Sequence, residues 1–517
     1  MRIQLFNPPT FIAPGNLQNP RPSQPLGLAY IAAALRQAGH ECVVLDAIAE
    51  APTQLIQWGQ LLRLGLSDDE ILDRIELDAP ALAITNMFSF NWPALRELIG
   101  KVRARFPEKI IVCGGEHFTG LPELCMRSAP IDYIVMGEGE EIAVELFARL
   151  EAGNDPTELS GICWRRDGEV VRNPRANRTR AIDDIPWPAW DLFDVQSYNA
   201  HSLVVGLRYG KTLPILATRG CPYQCTYCSS PQMWTTRWYA RDPMNVVDEI
   251  QHHYHRWGVN NFPMQDLTMI IKKDWVVRFC REIIDRKLDI NWQLPSGTRC
   301  EVIDDEVALL LHQSGCRFIC YAPESGSERT RALIKKKMKT DSLMAAVEAA
   351  ERAGLTLQTF FVIGFPHDTP EDLRDSVRLA RQLARRGAAD IAVAFFFPIP
   401  STELWTDLEK KGRTAPSDTH LMHPLFGHGG FLSEEHNFCE RISAAQLTYW
   451  KYRIVGNFYL TSWVTHPMRF LRVIWNALLG RETSALDKFL GERVRQIFAR
   501  RRRAAPGGRE PVVADTP

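Results

Sequence analysis

The chain has 517 residues, 45% hydrophobic and 24% charged, with Lys+Arg and Asp+Glu equal at 61 each. That length exceeds one core and predicts two or three domains, while the balanced charge gives no footprint for a nucleic-acid partner. Met1-Arg-Ile-Gln-Leu-Phe reads as a strand rather than a signal peptide, and no uncharged apolar run of about 18 residues predicts a membrane span, so reduced cytosol is the expected compartment.

Residues 1–150 alternate strand and helix signals. Ile3–Asn7 reads as a strand, Leu26–Ala38 as a helix stopped by Gly39, and Glu41–Asp46 as the next strand. Ala81–Thr85, Ile110–Cys113 and Tyr133–Met136 follow as short apolar strands, separated by amphipathic stretches such as Trp92–Arg105. This alternation predicts a doubly wound, Rossmann-like parallel sheet, whose ligands bind beyond the carboxyl ends of the strands. Polar and glycine-rich segments fall at those ends: Asn7-Pro-Pro, Asn86-Met-Phe-Ser89, Gly114-Gly115-Glu-His117 and Gly137-Glu138-Gly-Glu140. Glycine pairs let backbone approach a bulky planar or phosphate-bearing ligand. One glycine after a strand is an ordinary turn; four such ends in one domain point to a cofactor site.

Residues 151–205 read as a linker with a small hairpin, Gly161–Arg166 and Val170–Arg172, turning at Asp167-Gly168. Its proline- and tryptophan-rich stretch Ile182–Trp190 suits an extended strap laid across a surface. A second α/β series fills residues 206–410. Its strands are Ile215–Thr218, Asn261–Met264, Asn291–Leu294, Phe318–Ala322, Thr356–Ile363 and Ile391–Phe397. Segments with helical periodicity lie between them: Pro243–Trp257, Lys273–Arg286, Asp304–Ser314, Thr340–Ala353 and Pro370–Arg386. Six units are fewer than the eight of a closed barrel, so an open, partial (β/α)6 barrel is expected. Polar residues and turns recur at the carboxyl ends of its strands: Asp266, Ser296, Arg299, Glu324, Ser325, Gly364, Pro366 and Pro398. Phe395-Phe-Phe-Pro398 hints at an apolar substrate, although a phenylalanine run on a strand is ordinarily core.

After the first strand of that series comes Cys221-Pro-Tyr-Gln-Cys225-Thr-Tyr-Cys228, a C-x3-C-x2-C run. Three thiolates can hold three irons of a [4Fe–4S] cluster and leave the fourth open to a small molecule, whereas four-cysteine sites generally serve electron transfer. A zinc site would need a fourth ligand from elsewhere, such as His252 or His253. The other nine of the 12 cysteines (Cys42, Cys113, Cys125, Cys163, Cys280, Cys300, Cys316, Cys320 and Cys439) are scattered and read as buried free thiols rather than a disulfide framework.

Residues 411–517 lose the strand–helix rhythm and read as a helical region with a basic tail, Gln496-Ile-Phe-Ala-Arg-Arg-Arg-Arg503. Phe470, Leu471, Ile474, Ala477 and Leu478 share one helical face, with Arg469, Arg472 and Asn476 opposite and Trp463 and Trp475 flanking. Two readings stand: a helix packed on the barrel before a solvated tail, or a peripheral contact with an anionic membrane.

The cysteine loop, with aromatic Tyr227 before its third cysteine, resembles that of the radical S-adenosylmethionine (SAM) superfamily. Pro25-Leu-Gly-Leu-Ala-Tyr-Ile-Ala-Ala-Ala-Leu, Gly114-Gly-Glu-His-Phe-Thr and Asp132-Tyr-Ile-Val-Met-Gly-Glu-Gly-Glu read like the cobalamin-binding class of that superfamily, over roughly residues 1–410. The resemblance implies that Cys221, Cys225 and Cys228 ligate the cluster and that SAM chelates its open iron. One-electron reduction then yields methionine and a 5′-deoxyadenosyl radical, with flavodoxin or ferredoxin as a suitable reductant. It implies Tyr227, Asp266, Ser296, Arg299, Glu324, Ser325 and Gly364 as SAM contacts, and Asn86, Ser89, Gly114, Gly115, His117, Gly137 and Glu138 as cobalamin contacts. The D-x-H-x-x-G motif that supplies a lower histidine to cobalt in the methionine-synthase type is absent, and His117 stands in a different context. Many members of the class lack that motif.

The function so implied is methylation of an unactivated carbon on a small, apolar or lipid-like biosynthetic substrate. The alternative is a non-methylating oxidative cyclase or rearrangement enzyme of tetrapyrrole or lipid type. A tRNA methylthiotransferase would need a second cysteine set, for which Cys42, Cys113 and Cys125 lack the expected context. A non-catalytic corrinoid-binding module would leave the intact cysteine loop without a use.

Overall fold

The structure, a computed structural model, describes residues 1–12, 22–59, 61–427, 431–479, 483–484, 486–487 and 490. The first sheet is built on five parallel strands in the order β3 (Glu41–Asp46), β1 (Arg2–Asn7), β6 (Ala81–Thr85), β7 (Ile110–Gly114) and β8 (Tyr133–Val135). The order runs outward in both directions from β1 and β6, so a crevice opens between their carboxyl ends, where doubly wound sheets bind ligands. Alternate residues of a strand face opposite layers: Ile3 and Leu5 enter one apolar core and Phe6 the other.

The hairpin expected in the linker belongs instead to this sheet. β9 (Ile162–Arg166) pairs antiparallel with β8, and β10 (Glu169–Arg172) with β9. Asp167 and Gly168 both have positive φ, 51° and 85°, as a two-residue type I′ turn requires. Buried Ile162, Cys163 and Trp164 are what the sheet edge gains. β2 (Thr10–Ile12), β4 (Leu55–Trp58) and β5 (Leu61–Leu64) form a small antiparallel sheet that the sequence reading passed over, each being only three or four residues long.

In the second unit, the segment from Thr212 to Ile215 bridges in parallel to β13 (Asn261–Pro263) at Thr212↔Asn261 and Ile215↔Met264. From there β14 (Asn291–Thr298), β15 (Cys316–Glu324), β16 (Thr356–Ile363) and β17 (Asp390–Phe395) continue in parallel. Six units therefore curve into an open barrel. Helix Pro370–Arg386 shows how sequence sets the boundaries: Thr369 and Asp372 make a capping box, Pro370 occupies the first turn, and Gly387 stops it at φ +117°.

The two units share one core. Leu28, Ala29 and Leu35 of helix Leu26–Gln37 belong to the same apolar cluster as Trp190 and as Val246 and Ile250 of helix Pro243–Trp257. The proline-rich strap lies between those helices: the Ala189 amide donates to the Ala29 carbonyl, and the Trp187 indole to Asn245. Among the described residues, the region after 411 is helical, and helix Asp418–Gly427 turns back onto the first unit through Arg96–Asp418 and buried Leu421. The basic stretch Gln496–Arg503 and the side chains of Ala477 and Leu478 lie outside what is described.

Candidate functional site

One cavity of ≈ 1810 Å³ separates the carboxyl ends of the first sheet from the mouth of the barrel. Single small-molecule sites are roughly 300–1,000 Å³, so this space can take more than one ligand. Asn7, Asn86, Gly114, Gly115, Gly137 and Glu138 line one wall. Cys221, Cys225, Tyr227, Cys228, Arg299 and Glu324 line the facing one.

The cysteine loop leaves the first barrel strand through a short ribbon in which β11 (Thr218–Arg219) pairs with β12 (Tyr239–Ala240). The Thr218 hydroxyl donates to Asp266, whose other oxygen accepts the Ala217 amide, fixing the backbone three residues before Cys221. Burial pushes the Asp266 carboxyl up to about 6. Gly220 follows at φ +84°, with its missing side chain's place taken by the Arg237 carbonyl and the Arg178 guanidinium. All three cysteines are half-buried and face the cavity. Burial raises the Cys221 thiol and takes Cys228 to about 12. Among the described residues, no three Cys, His, Asp or Glu side chains are grouped to hold a single metal ion. A four-iron cube makes no such demand, since each thiolate meets its own iron. His252 packs against Trp187, and His253 lies beside Glu249 at 3.6 Å; neither lines this cavity, so the zinc arrangement finds no fourth ligand there.

Beside the loop, the Tyr227 hydroxyl donates to Glu324 at 2.8 Å and the Lys336 ammonium to the same oxygen at 3.0 Å. Burial and the Glu324 charge hold the Tyr227 hydroxyl well above its ordinary range. Burial alone would lower the Lys336 pKa, but the carboxylate more than offsets it and the cation is favoured. Glu324 sits at φ +63°, a conformation costly for any residue with a Cβ, next to a register shift between β15 and β16. Such irregularities re-aim side chains beside functional sites. The Arg299 guanidinium lies 3.9 Å from the Tyr223 ring centre.

On the opposite wall, Asn86 is buried; its backbone donates to the Gly114 carbonyl and accepts from the His117 amide, but neither Nδ2 nor Oδ1 of its side chain has a partner among the described residues. Gly115, at φ +109°, could carry no side chain, because a Cβ would come within 2.6 Å of the Asn86 carbonyl oxygen. The side-chain amide of Asn86 lies beneath the wall rather than on it; the glycine-lined surface at Gly114, Gly115 and Gly137, in a cavity larger than one small-molecule site, fits a large ligand such as a corrinoid.

Several residues expected at the site are placed elsewhere. His117 is fully buried behind the wall, with Nδ1 2.9 Å from the Ser89 hydroxyl and Nε2 3.4 Å from the Cys125 thiol. Burial lowers its pKa to about 3. His117 is thus a core residue with half-buried Ser89 as its partner, and neither lines the cavity. Glu138 reaches the cavity edge, but its carboxylate is engaged by Arg178 at 3.1 Å and Arg219 at 3.6 Å, which makes it a joint between units rather than a free ligand group. Asp266 acts through Thr218. Ser296 points outward, as strand alternation requires between cavity-lining Pro295 and Gly297. Ser325 is buried and accepts the Ser327 amide, and the Gly364 amide donates to Asp368; neither reaches the cavity. Sequence reading missed Arg219, Lys336, Tyr223 and Gln265, all of which line it. Arg219, adjoining the cysteine run, and Tyr223, inside it, were the two with a local signal. Cys42 packs in a different core cluster from Cys113 and Cys125, so these three make no second metal set.

The family described as B12 binding domain matches residues 20–147, and that described as Radical SAM superfamily matches residues 215–380. The chain is 28% identical over 455 residues to cytidylyl-2-hydroxyethylphosphonate methyltransferase of Streptomyces wedmorensis, covering 81% of this chain and 83% of that one. It is 29% identical over 381 residues to the anaerobic magnesium-protoporphyrin IX monomethyl ester cyclase of Synechocystis, covering 72% and 70%. Its fold matches that of the radical SAM methyltransferase TsrM from Kitasatospora setae, solved with cobalamin and a [4Fe–4S] cluster, at TM-score 0.66 and 18% identity over 89% of this chain and 88% of that one. With a three-cysteine loop and a glycine-edged α/β wall facing one cavity, the chain belongs to the cobalamin-binding radical SAM superfamily of enzymes.

Proposed function

We propose that this enzyme is a cobalamin-dependent radical SAM C-methyltransferase acting on an unactivated carbon of an apolar biosynthetic substrate. The single cavity carries the reading, because the cysteine loop and the Asn86–Gly115 wall open onto the same space. When bound, the cluster supplies the electron that opens the sulfonium of SAM, and cobalamin supplies a methyl carrier.

The chain's own residues bind, orient and exclude water. Cys221, Cys225 and Cys228 would hold three irons. Lys336 and Arg299 stand beside them, each already paired with a carboxylate, Lys336 with Glu324 and Arg299 with Glu301. Tyr227 and Glu324 are fixed by each other and by Lys336, so neither needs to reorganise when SAM arrives. Gly114, Gly115 and Gly137 would leave backbone bare for a corrinoid to lie against, and His117 cannot reach such a ligand from the core. Deeper in the barrel the wall is Phe318, Ala322, Phe360, Ala392 and Ala394, which offers no acid or base to the substrate. Hydrogen-atom abstraction needs none, and a dry apolar wall protects a reactive carbon.

The alignment with the phosphonate methyltransferase, longer than that with the cyclase, favours methyl transfer. The cyclase relative and the apolar barrel wall keep a non-methylating ring closure as the second reading. Anaerobic turnover with methyl-labelled SAM, reduced flavodoxin or ferredoxin, and apolar extracts separates them. Methyl transfer releases S-adenosylhomocysteine and 5′-deoxyadenosine together and leaves label in product. Ring closure releases 5′-deoxyadenosine with neither S-adenosylhomocysteine nor labelled product.

A further inference from the structure

The last described helix, Pro467–Leu479, is mounted with its apolar side outward. Its polar side holds it to the barrel. The Arg469 guanidinium donates to Glu351 and to the carbonyls of Gly387 and Ala388, and Asn476, only 4% exposed, donates to Asp487. Met468 is 72% exposed and Trp475 61%, with Leu471, Ile474 and Leu479 beside them. The apolar row begins on the preceding helix, Ala444–Thr465, at Leu460 and at Val464, which is 74% exposed. The two helices meet where the Trp463 and Phe470 rings lie 5.1 Å apart. A helix anchored on a barrel in water ordinarily buries its apolar stripe; here the stripe is the part left out, and a contiguous apolar patch marks an interaction surface.

Charge identifies the occupant. From Arg441 to Arg481 the chain has no Asp or Glu, although acidic residues number 61 of 517 overall. Over that stretch Arg453 and Arg472 are exposed beside the apolar row. Beyond Glu482, Asp487 and Glu492, the chain carries Arg493, Arg495 and Arg500–Arg503 with no acid among them. A second copy of this face would set cations against cations, since a twofold interface pairs a patch with itself. No described helix is long and apolar enough to cross a membrane. We infer that helices Ala444–Thr465 and Pro467–Leu479 form a docking face for an anionic lipid surface, with Leu460, Val464, Met468, Leu471 and Trp475 entering the headgroup boundary and Arg453 and Arg472 meeting the phosphates. Tryptophan and aliphatic side chains flanked by arginine are the composition such interfacial helices use.

The full-length protein is tested by co-sedimentation with vesicles of phosphatidylcholine alone and of phosphatidylcholine with phosphatidylglycerol. Binding is expected only to the second, and the pair L471E/W475E, at exposed positions, lowers it by at least about tenfold. R453E/R472E tests the charge separately and lowers binding to anionic vesicles in the same way. Iron content and circular dichroism of both variants are expected to match the parent. Failure of the parent to bind anionic vesicles overturns the proposal, as does unchanged binding by L471E/W475E. So does light scattering that shows a lipid-free dimer dissolved by L471E/W475E, because the face would then be covered by a second copy.

Discussion

Arg219, two residues before the first cysteine of the loop, donates to both carboxylate oxygens of Glu140 at 2.6 and 3.2 Å. The pair is buried between the two units. Burial would raise the Glu140 carboxyl, but Arg219 holds it below the ordinary range, and the guanidinium is held correspondingly high. Arg178 of the connecting strap reinforces the joint, binding Glu138 and the carbonyls of Trp234 and Arg237. The cysteine loop is thereby tied to the α/β wall it faces. Removing one partner of a buried pair leaves an uncompensated charge, worth about 3–5 kcal/mol. R219A is expected to lower the melting temperature sharply and to separate unfolding of the two units in calorimetry. R219K keeps the charge but loses the two-pronged contact and falls between. A variant melting like the parent would show that the joint carries no load.

The cysteine loop predicts the iron content. Anaerobically reconstituted parent protein should hold about four irons per chain, as one cubane requires, and C225S should lose the cluster absorbance and all SAM cleavage. C113S and C125S, in the core of the first unit, are expected to leave iron content unchanged. About eight irons per chain would restore a second cysteine-held cluster.

Neighbouring glycines should respond differently to one methyl group. In G115A the added carbon meets the Asn86 carbonyl at 2.6 Å in a backbone conformation that L residues avoid, whereas in G114A it meets only the Val135 carbonyl at 3.7 Å. Equilibrium binding of cobalamin, followed by absorbance, is expected to survive G114A and fail in G115A. G115A binding cobalamin as the parent does would place the ligand elsewhere.

His117 makes acid stability measurable. Its folded pKa, lowered to about 3 by burial, lies below the ordinary 6.5, so the unfolded chain takes up the proton first. The contribution of neutral His117 is present above about pH 6.5 and is lost as pH falls towards 3, at roughly 1.4 kcal/mol per unit. H117Q should be less stable than the parent near neutrality, since it disturbs the Ser89 and Cys125 contacts. Its further loss between about pH 6.5 and 5 should be smaller by roughly 2 kcal/mol. Parallel melting curves of the two proteins across that range would count against a buried neutral ring.

Much of the architecture was legible because it is written locally. The span Pro370–Arg386 carries its own cap, proline and glycine stop, and β16 is rich in β-branched and aromatic residues and ends on the apolar run Phe360–Ile363; both were read at their observed ends. The hairpin was also read, but not its place, since pairing of β9 with β8 is a contact between segments that no local pattern encodes. β2, β4 and β5 were missed because three or four residues do not establish a period.

At the site, the sequence by itself determined the chemistry of the loop: spacing fixes which thiols can share a cluster, and glycines fix where backbone can approach a ligand. Only the tertiary structure decided which polar residues reach the cavity. His117 and Glu138 share strand-end neighbourhoods with Gly115 and Gly137. Yet one is turned into the core by Ser89 and Cys125, and the other is held by arginines from 40 and more residues away. The same holds for the last helix. Its two faces were plain in sequence, but which one met water depended on Glu351 and the carbonyls of Gly387 and Ala388 capturing Arg469. Periodicity sorts side chains onto faces; distant partners choose the face that turns inward.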